Sequence, residues 1–184
     1  HRTVGRILVA APVRVVPPWL REATLQQKIR QAVEQCLQVD GVGGVDGLAV
    51  PRSVVVSPDD LNVYVAGAGD NAIAVFSRDL ALGTLTFREV ERDGVGGAEG
   101  IAGVSALAVS DDDGFGFHLY AAGSGENALG IYRRDAADFG RLTFVDVERD
   151  GFGAVNGLAG ASDVALSPDG AIVVVAGPVD DALA

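Results

Sequence analysis

Six oxygen-bearing side chains recur along the chain and have the chemistry of metal ligands. They form two sets of three, and each repeat unit contributes one member to each set. The first set is Asp46, Glu99 and Asn156, and the second set is Asp70, Glu126 and Asp180. Carboxylate and amide oxygens are the ligands that calcium and other hard cations prefer. The pattern therefore predicts a cation site, with calcium as the candidate cofactor, if the fold brings the sets to one surface.

The same side chains have a second, structural interpretation. Asp and Asn side chains in turns accept hydrogen bonds from nearby backbone N–H groups. The first set lies in glycine-rich segments such as "VDGVGGVDGLAV" at 39–50, and the second lies in turn-like segments such as "AGDN" at 68–71. Both segments are typical of turns, so ion binding and turn formation stay open as explanations.

Glycine-rich segments also raise the question of phosphate binding, but neither of two candidate segments meets all of its requirements. The segment "DGVGGAEG" at 93–100 carries Glu99 where the dinucleotide template needs its third glycine. The segment "GAGDNA" at 67–72 satisfies G-x-G-x-x-A, yet the residues that follow it have the pattern of a strand. A phosphate site of this kind needs a helix N-terminus. We therefore interpret both segments as turns.

The chain has few groups suited to catalysis. Its two histidines are His1 and His118, and His118 falls within a predicted strand. The sequence has no G-x-S-x-G motif of the kind that presents a nucleophilic serine. Cys36 is the single cysteine, which excludes an internal disulfide and a multi-cysteine zinc site. We therefore favour a non-enzymatic protein and assign no catalytic residue.

The elements that must position these side chains are repeated too. A glycine-rich phrase that opens with Asp-Gly begins at positions 40, 93 and 150, and the first unit reads as four strands at 53–57, 62–67, 72–77 and 85–92. Runs of Val, Ile, Tyr and Phe bounded by Gly, Asp, Asn and Pro are the pattern of strands and hairpins. Four strands in about fifty residues, repeated, indicate β-propeller blades. We predict a mainly β fold with two complete blades at 40–92 and 93–149 and a partial one at 150–184.

The repeat resembles that of lactonase-like and YVTN-type β-propellers. It is carried by "SPDDLNVYVAGAGDNAIAVFSRD" and by the weaker copies "SDDDGFGFHLYAAGSGENALGIYRRD" and "SPDGAIVVVAGPVDDALA". Blades of that family read Ser-Pro-Asp-Gly, then Val-Tyr-Val, then Asn-x-(Ile/Val)-x-Val. The resemblance covers about residues 40–184 and implies that the first strand of each blade lines a central channel. Lactonase activity is found in some members, but no residue of this chain matches a lactonase catalytic motif.

Residues 1–39 do not match the repeat. The runs "RILVA" and "VRVV" have the composition of strands, and Pro17 and Pro18 then interrupt the pattern. From residue 19 to residue 38 the apolar residues recur at helical spacing, which predicts an amphipathic helix. The alternative is that "VEQCLQVDGVGG" contains a degenerate fourth strand, because "FREVERDGVGG" stands at the same place in the next unit. We assign residues 1–39 to an N-terminal extension of a repeat region at 40–184.

Charge and chain pattern narrow the range of partners. The chain has 25 Asp and Glu against 14 Lys and Arg, a net charge of −11, which disfavours binding to nucleic acid. No apolar run approaches the ~20 residues of a membrane span. The third unit stops at "DDALA", which corresponds to the start of a third strand. An open blade edge invites strand addition, so we expect other protein chains as partners, including self-association through blade edges.

These observations lead to one expectation and two alternatives. We expect a non-enzymatic, extracytoplasmic or secreted β-propeller-type module for binding or assembly, with its open blades completed by partner chains or by further sequence. The first alternative is a fragment of a lactonase-type propeller hydrolase. The second is a structural subunit of a surface layer or filament.

Overall fold

The structure, a computed structural model, describes residues 37–111 and 117–184. Its regular elements over these residues are eleven β-strands in three antiparallel sheets, which confirms the predicted mainly β fold with partial blades. The predicted helix at 19–38 lies outside the described residues except for Leu37 and Gln38, which belong to no regular element. The domain boundary at residue 39 stays a prediction. Within the described ranges, no helix has the length and apolar character needed to cross a membrane.

Each sheet is one blade, and its strands are hydrogen-bonded in chain order. Blade 1 contains β1 (Pro51–Val56), β2 (Asn62–Gly67), β3 (Ala72–Arg78) and β4 (Leu85–Arg92). Blade 2 contains β5 (Val104–Val109), β6 (His118–Gly123), β7 (Ala128–Asp135) and β8 (Arg141–Arg149). Blade 3 contains β9 (Asp163–Leu166), β10 (Val173–Gly177) and β11 (Ala182–Leu183). The strands predicted for the first unit therefore match β1 to β4 closely.

Neighbouring blades pack face to face and converge on their first strands. β1 lies against β5 and β5 against β9, whereas β4 and β8 diverge. Side chains alternate across a strand, so each sheet has two faces. We call the face toward the preceding blade the front face and the face toward the following blade the back face. The back face of blade 1 and the front face of blade 2 share one buried apolar cluster, and a second cluster joins blades 2 and 3.

A third apolar cluster lies on the front face of blade 1. Its buried members are Val45, Val63, Ala74 and Phe76, and Leu48, Val65, Leu85 and Phe87 pack against it. Phe76 and Phe87 meet edge to face, with ring centroids 5.6 Å apart, an arrangement that aromatic pairs prefer. This face therefore has the composition of the two faces that are buried between blades.

The glycine-rich phrases lead from the last strand of one unit to the first strand of the next. We call residues 40–50, 93–103 and 150–160 the Asp-Gly connections. Each connection passes directly over the end of a second strand: a Cβ added to Gly67 would lie 2.0 Å from the carbonyl oxygen of Gly47. Gly123 meets Gly100 in the same way at 2.2 Å. Close backbone approach therefore requires Gly67 and Gly123 at the strand ends, whereas glycines of the connections such as Gly43 and Gly44 have open space around them and a positive φ. Neither feature needs the phosphate-binding interpretation.

Candidate functional site

The three predicted ligands of the second set all bind the backbone of an Asp-Gly connection. They lie in the turns between the second and third strands, next to the connection of their own unit. In each case a carboxylate oxygen accepts a hydrogen bond from a backbone N–H group. The donor–acceptor pairs are Ala49–Asp70 at 2.9 Å, Gly100–Glu126 at 3.0 Å and Ala159–Asp180 at 3.1 Å. These contacts fit the structural interpretation of the acidic pattern.

In blade 1 the two predicted sets come together around an arginine. Arg92, the last residue of β4, approaches Asp46 with 2.5 Å between Nη2 and Oδ1 and Asp70 with 3.8 Å between Nη1 and Oδ1. The hydrogen bond from Arg92 is the main cause that holds the pKa of the Asp46 carboxyl below its usual value. Asp46 therefore stays ionised, and a cation at this place would compete with a guanidinium that is already paired.

Blade 2 repeats this arrangement with longer acidic side chains. Arg149, the last residue of β8, lies 2.8 Å from Glu99 and 3.5 Å from Glu126, measured from Nη2 to Oε2 in both cases. Arg92 and Arg149 stand at the same place in the repeated phrase "VERD". That recurrence was the sequence signal that could have revealed them, but the prediction rested on the acidic residues alone.

A further aspartate of each connection also belongs to this region and was not predicted as a ligand. Asp40 accepts the N–H of Leu48 at 2.9 Å, and Asp93 and Asp150 occupy the same position in the later units. In blade 1, ligand oxygens of Asp40, Asp46 and Asp70 all lie within 4.8 Å of one another. These three carboxylates are the described residues best placed to hold a cation, and Arg92 offsets part of their charge.

The third unit is less complete than the other two. Asp180 binds the backbone of its connection, as described above, and Asn156 is exposed in that connection. No hydrogen bond between described residues joins Asn156 to Asp180. The structure therefore pairs the predicted ligands blade by blade, in blades 1 and 2, and does not gather all six at one centre.

A buried arginine that sequence analysis did not identify lies at the opposite strand ends from the acidic residues. The side chain of Arg134, near the end of β7, is 0% exposed. Its Nε donates to the Tyr64 hydroxyl at 2.9 Å, and its Nη2 donates to Asn62 Oδ1 at 2.7 Å and to Asp59 Oδ2 at 2.5 Å. All three acceptors belong to blade 1. Arg134 therefore fastens blade 2 to blade 1.

The acceptors of Arg134 are themselves fixed by the next loop of blade 2. The Tyr64 hydroxyl donates to the carbonyl of Gly140 at 2.8 Å, and Asn62 Nδ2 donates to the carbonyl of Phe139 at 2.6 Å. Burial raises the pKa of Tyr64, so its hydroxyl stays protonated and able to donate. These atoms are engaged in protein contacts, and the geometry of the network is that of a junction between blades.

Solved structures share this arrangement of strands. A protein from Lactobacillus plantarum aligns with 77% of this chain at 26% identity, with a TM-score of 0.58. The periplasmic gluconolactonase of Pseudomonas aeruginosa aligns with 72% at 24% identity, with a TM-score of 0.53. The β-propeller domain of a Myceliophteria thermophila protein aligns with 73% at 12% identity, with a TM-score of 0.51. The fold is a lactonase-like β-propeller.

The chain spans only part of the length of these three structures, namely 36%, 34% and 39% in the order given. No protein-family model and no curated protein matches the chain. The likeness at such identities concerns the lactonase-like propeller fold, which confirms the resemblance carried by "SPDDLNVYVAG". The candidate site is therefore defined by the contacts of this chain that are described above.

Proposed function

We propose that this lactonase-like propeller segment is a non-catalytic module for binding or assembly, which acts by packing its outer blade faces against other propeller blades. The observation that supports this proposal is one repeat position, occupied by Val54, Leu107 and Val164 in the first strands of the three blades. Leu107 and Val164 are 5% and 7% exposed because each packs on the preceding blade, whereas Val54 is 64% exposed. An apolar side chain at a position that is otherwise buried between blades is typical of an interaction surface.

The contacts of the acidic residues support a non-catalytic role. A general acid or base needs a titratable group that is within reach of a substrate and is not fully engaged elsewhere. Asp70, Glu126 and Asp180 are engaged in backbone hydrogen bonds, and Asp46 is paired with Arg92.

We extend the proposed function to the location of the protein, which we propose to be extracytoplasmic or secreted.

A fragment of a lactonase-type hydrolase is the second candidate. It is favoured by the fold shared with the Pseudomonas aeruginosa gluconolactonase and by the cluster of Asp40, Asp46 and Asp70. In this case the acidic side of blade 1 would form part of an active site that holds a cation.

One experiment separates the two candidates. The 184-residue chain is assayed against a panel of sugar lactones with calcium and with a chelator, and its mass in solution is measured by light scattering over a range of concentrations. The proposed function predicts no hydrolysis and a mass above 18.8 kDa that grows with concentration. Lactone hydrolysis that is lost on Asp70→Asn and retained on Asp146→Asn would overturn it.

A further inference from the structure

We propose that a cleft between blades 1 and 2 binds a small organic monocarboxylate through the guanidinium of Arg88 and the ring of Phe139. The cavity in this cleft has a volume of about 400 Å³, and cavities of about 300 to 1,000 Å³ are typical of small-molecule sites. Its walls include Asn62, Ser77, Thr86 and Arg88 of blade 1 and Ala137 and Phe139 of blade 2. The site goes beyond the proposed function, because it lies at the junction of two described blades and does not involve the outer blade faces.

Phe139 is an extra residue in the repeat. The loops after β3 and β7 begin in the same way, because the carboxylates of Asp79 and Asp135 each accept two backbone N–H groups. A glycine with a positive φ then donates its N–H to the carbonyl of that aspartate. This glycine is Gly83 in the first loop, four residues after the aspartate, and Gly140 in the second loop, five residues after it. Phe139 is the residue by which the second loop is longer.

This extra residue has an unusual backbone and a fixed position. Phe139 has a φ of 51°, which is rare for a bulky side chain. Its carbonyl oxygen accepts a hydrogen bond from Asn62 Nδ2 at 2.6 Å, and Asn62 is only 1% exposed. Phe139 itself is 54% exposed. Residues in such conformations are held by their surroundings and concentrate at binding sites. The loop of blade 2 therefore presents a solvent-accessible aromatic ring that is anchored to blade 1.

The side chain of Arg88 is held at two places and leaves its outer nitrogens open. Its Nε donates a hydrogen bond to Ser77 Oγ at 2.7 Å, and its Cζ lies 3.9 Å from the centroid of the Phe139 ring. Stacking on an aromatic face orients the plane of a guanidinium. Within the described ranges, Nη1 and Nη2 of Arg88 have no hydrogen-bond partner, and the side chain forms no ion pair. These two nitrogens therefore offer a ligand a fork of donors whose plane is already set.

The other arginines around this cleft already have acidic partners. A second cavity, of about 330 Å³, shares part of its wall with the cleft, including Arg88. Arg141 lines this second cavity, and its Nε lies 3.1 Å from Glu89 Oε2. Arg78 lines the cleft, and its Nη1 lies 3.7 Å from Asp60 Oδ1. Among the described arginines of the two cavities, Arg88 is therefore the one whose charge is open to an anion from solution.

The chemistry of the walls indicates a carboxylate with a small apolar body. A guanidinium can donate two parallel N–H groups to a planar carboxylate, which gives geometric specificity. A single negative charge fits best, because the carboxylates of Asp79 and Glu89 also lie at the two cavities and repel a dianion such as phosphate. The ring of Phe139 and the alkyl groups of Leu61 and Ala136 supply the apolar contacts that ligand pockets commonly use.

The test is a titration of the isotope-labelled 184-residue chain with sodium benzoate, followed by two-dimensional NMR. Benzamide is the matched ligand control, because it has nearly the same shape and no charge. We expect benzoate to shift the backbone amide signals of residues 136–140 and the Nε–H signal of Arg88 in a saturable way. We expect benzamide to bind at least ~10-fold more weakly. Inorganic phosphate is the third titrant, and we expect it to bind more weakly than benzoate.

Three variants locate the binding site. Arg88→Met removes the guanidinium and keeps an unbranched side chain, and we expect it to raise the dissociation constant for benzoate at least ~10-fold. Arg88→Lys keeps the charge and loses the fork, and we expect a rise of at least ~3-fold. Arg133→Met is the matched control, because Arg133 is exposed on β7 and does not line the cleft. We expect the control to bind benzoate as the wild type does. NMR signals that keep their wild-type positions away from the cleft establish that each variant is folded.

Four results would overturn this inference. The first is the absence of a saturable shift at residues 136–140 with benzoate. The second is equal affinity for benzoate and benzamide, which would mean that the carboxylate is not recognised. The third is tighter binding of phosphate than of benzoate, which would indicate another class of anion. The fourth is unchanged benzoate affinity in both Arg88 variants, which would place the site elsewhere. None of these results bears on the proposed function, which is tested by the mass in solution and by the lactone assay.

Discussion

Arg134 and Asp59 are 75 residues apart in the sequence and form an ion pair across the junction between blades 1 and 2. The guanidinium is fully buried, and it also binds the Tyr64 hydroxyl and the Asn62 side chain. Removing one member of such a network leaves buried polar groups without partners, which costs more than the net value of the bonds themselves. The junction between the first two blades is therefore polar at its edge and apolar at its centre.

Replacing Arg134 by Met tests the contribution of this junction. We expect Arg134→Met to lower the free energy of unfolding by about 2 to 4 kcal/mol, because Asn62 and Tyr64 lose their buried donor. Urea unfolding followed by circular dichroism measures the change. Arg133→Met, at the neighbouring exposed position, is the matched control and is expected to change stability by less than about 0.5 kcal/mol. Equal effects of the two substitutions would show that the buried network adds nothing to the free energy of unfolding.

Acid should weaken the same junction through Asp59. Burial by itself raises the pKa of this carboxyl, but hydrogen bonds from Arg134 and Ser57 hold it below its usual value. A depressed pKa in the folded state means that the stabilisation is present above the unfolded-state pKa of about 3.9 and is lost as the pH falls through the folded-state pKa. We expect wild type to be more stable than Asp59→Asn at neutral pH, and this difference to shrink as the pH falls below about 4.

Unfolding titrations at several pH values measure that difference. Asp146→Asn serves as a control, because Asp146 is exposed on β8 and accepts the N–H of its own neighbour Val147. A constant difference between wild type and Asp59→Asn from neutral pH to acid would contradict the assignment of the ion pair to Asp59.

The connections should be intolerant of side chains where they cross a strand. A Cβ on Gly123 would lie 2.2 Å from the carbonyl oxygen of Gly100, so Gly123→Ala forces the backbones apart. We expect a loss of about 3 kcal/mol in the free energy of unfolding. Gly96→Ala is the control: its Cβ would meet nothing within 4 Å, and only its φ of 64° is unfavourable, at about 1 kcal/mol. Denaturant unfolding of both variants distinguishes steric crowding from backbone strain.

The repeat explains both what could be predicted from the sequence and what could not. Equivalent positions have equivalent backbones, so the strands of blade 1 and the turns at "GAGDNA" and "DGVGGAEG" followed from pattern alone. The repeat does not tell which equivalent residue is covered by a neighbour. Val54 and Leu107 occupy the same position, yet one is exposed and the other is buried. Arg134 belongs to the polar phrase "RRD", and only the packing of two blades reveals that one of its two arginines is buried.

The acidic pattern was ambiguous for the same reason. The pattern predicted a cation site on the condition that the fold brings the two sets to one surface, and Asp46 and Asp70 do meet at Arg92 in blade 1. Whether the acidic side chains bind an ion or stabilise turns depends on groups outside the pattern, namely backbone N–H groups and arginines at strand ends. Such partners are contributed by segments that are distant in the sequence, as with Ala49 and Asp70, whose positions differ by 21.

Removing Arg92 should decide how the blade 1 carboxylates are used. In the wild type, the guanidinium already pairs with Asp46, and we expect neither about 1 mM calcium nor a chelator to change Tm. In the wild type, ligand oxygens of Asp40, Asp46 and Asp70 lie within 4.8 Å of one another. We expect Arg92→Gln to leave these carboxylates in place and to remove the competing cation. We expect calcium to stabilise this variant, by about 1.4 kcal/mol where calcium exceeds its dissociation constant roughly tenfold.

Differential scanning calorimetry with calcium, with magnesium and with chelator measures these shifts. Arg133→Gln is the matched control, since it removes the same charge from an exposed position on β7. A calcium-dependent rise of Tm in the wild type would favour the cation interpretation of the acidic pattern over the structural one. No rise in Arg92→Gln would mean that the backbone hydrogen bonds accepted by Asp40 and Asp70 are enough to keep these oxygens from a cation even when the arginine is gone.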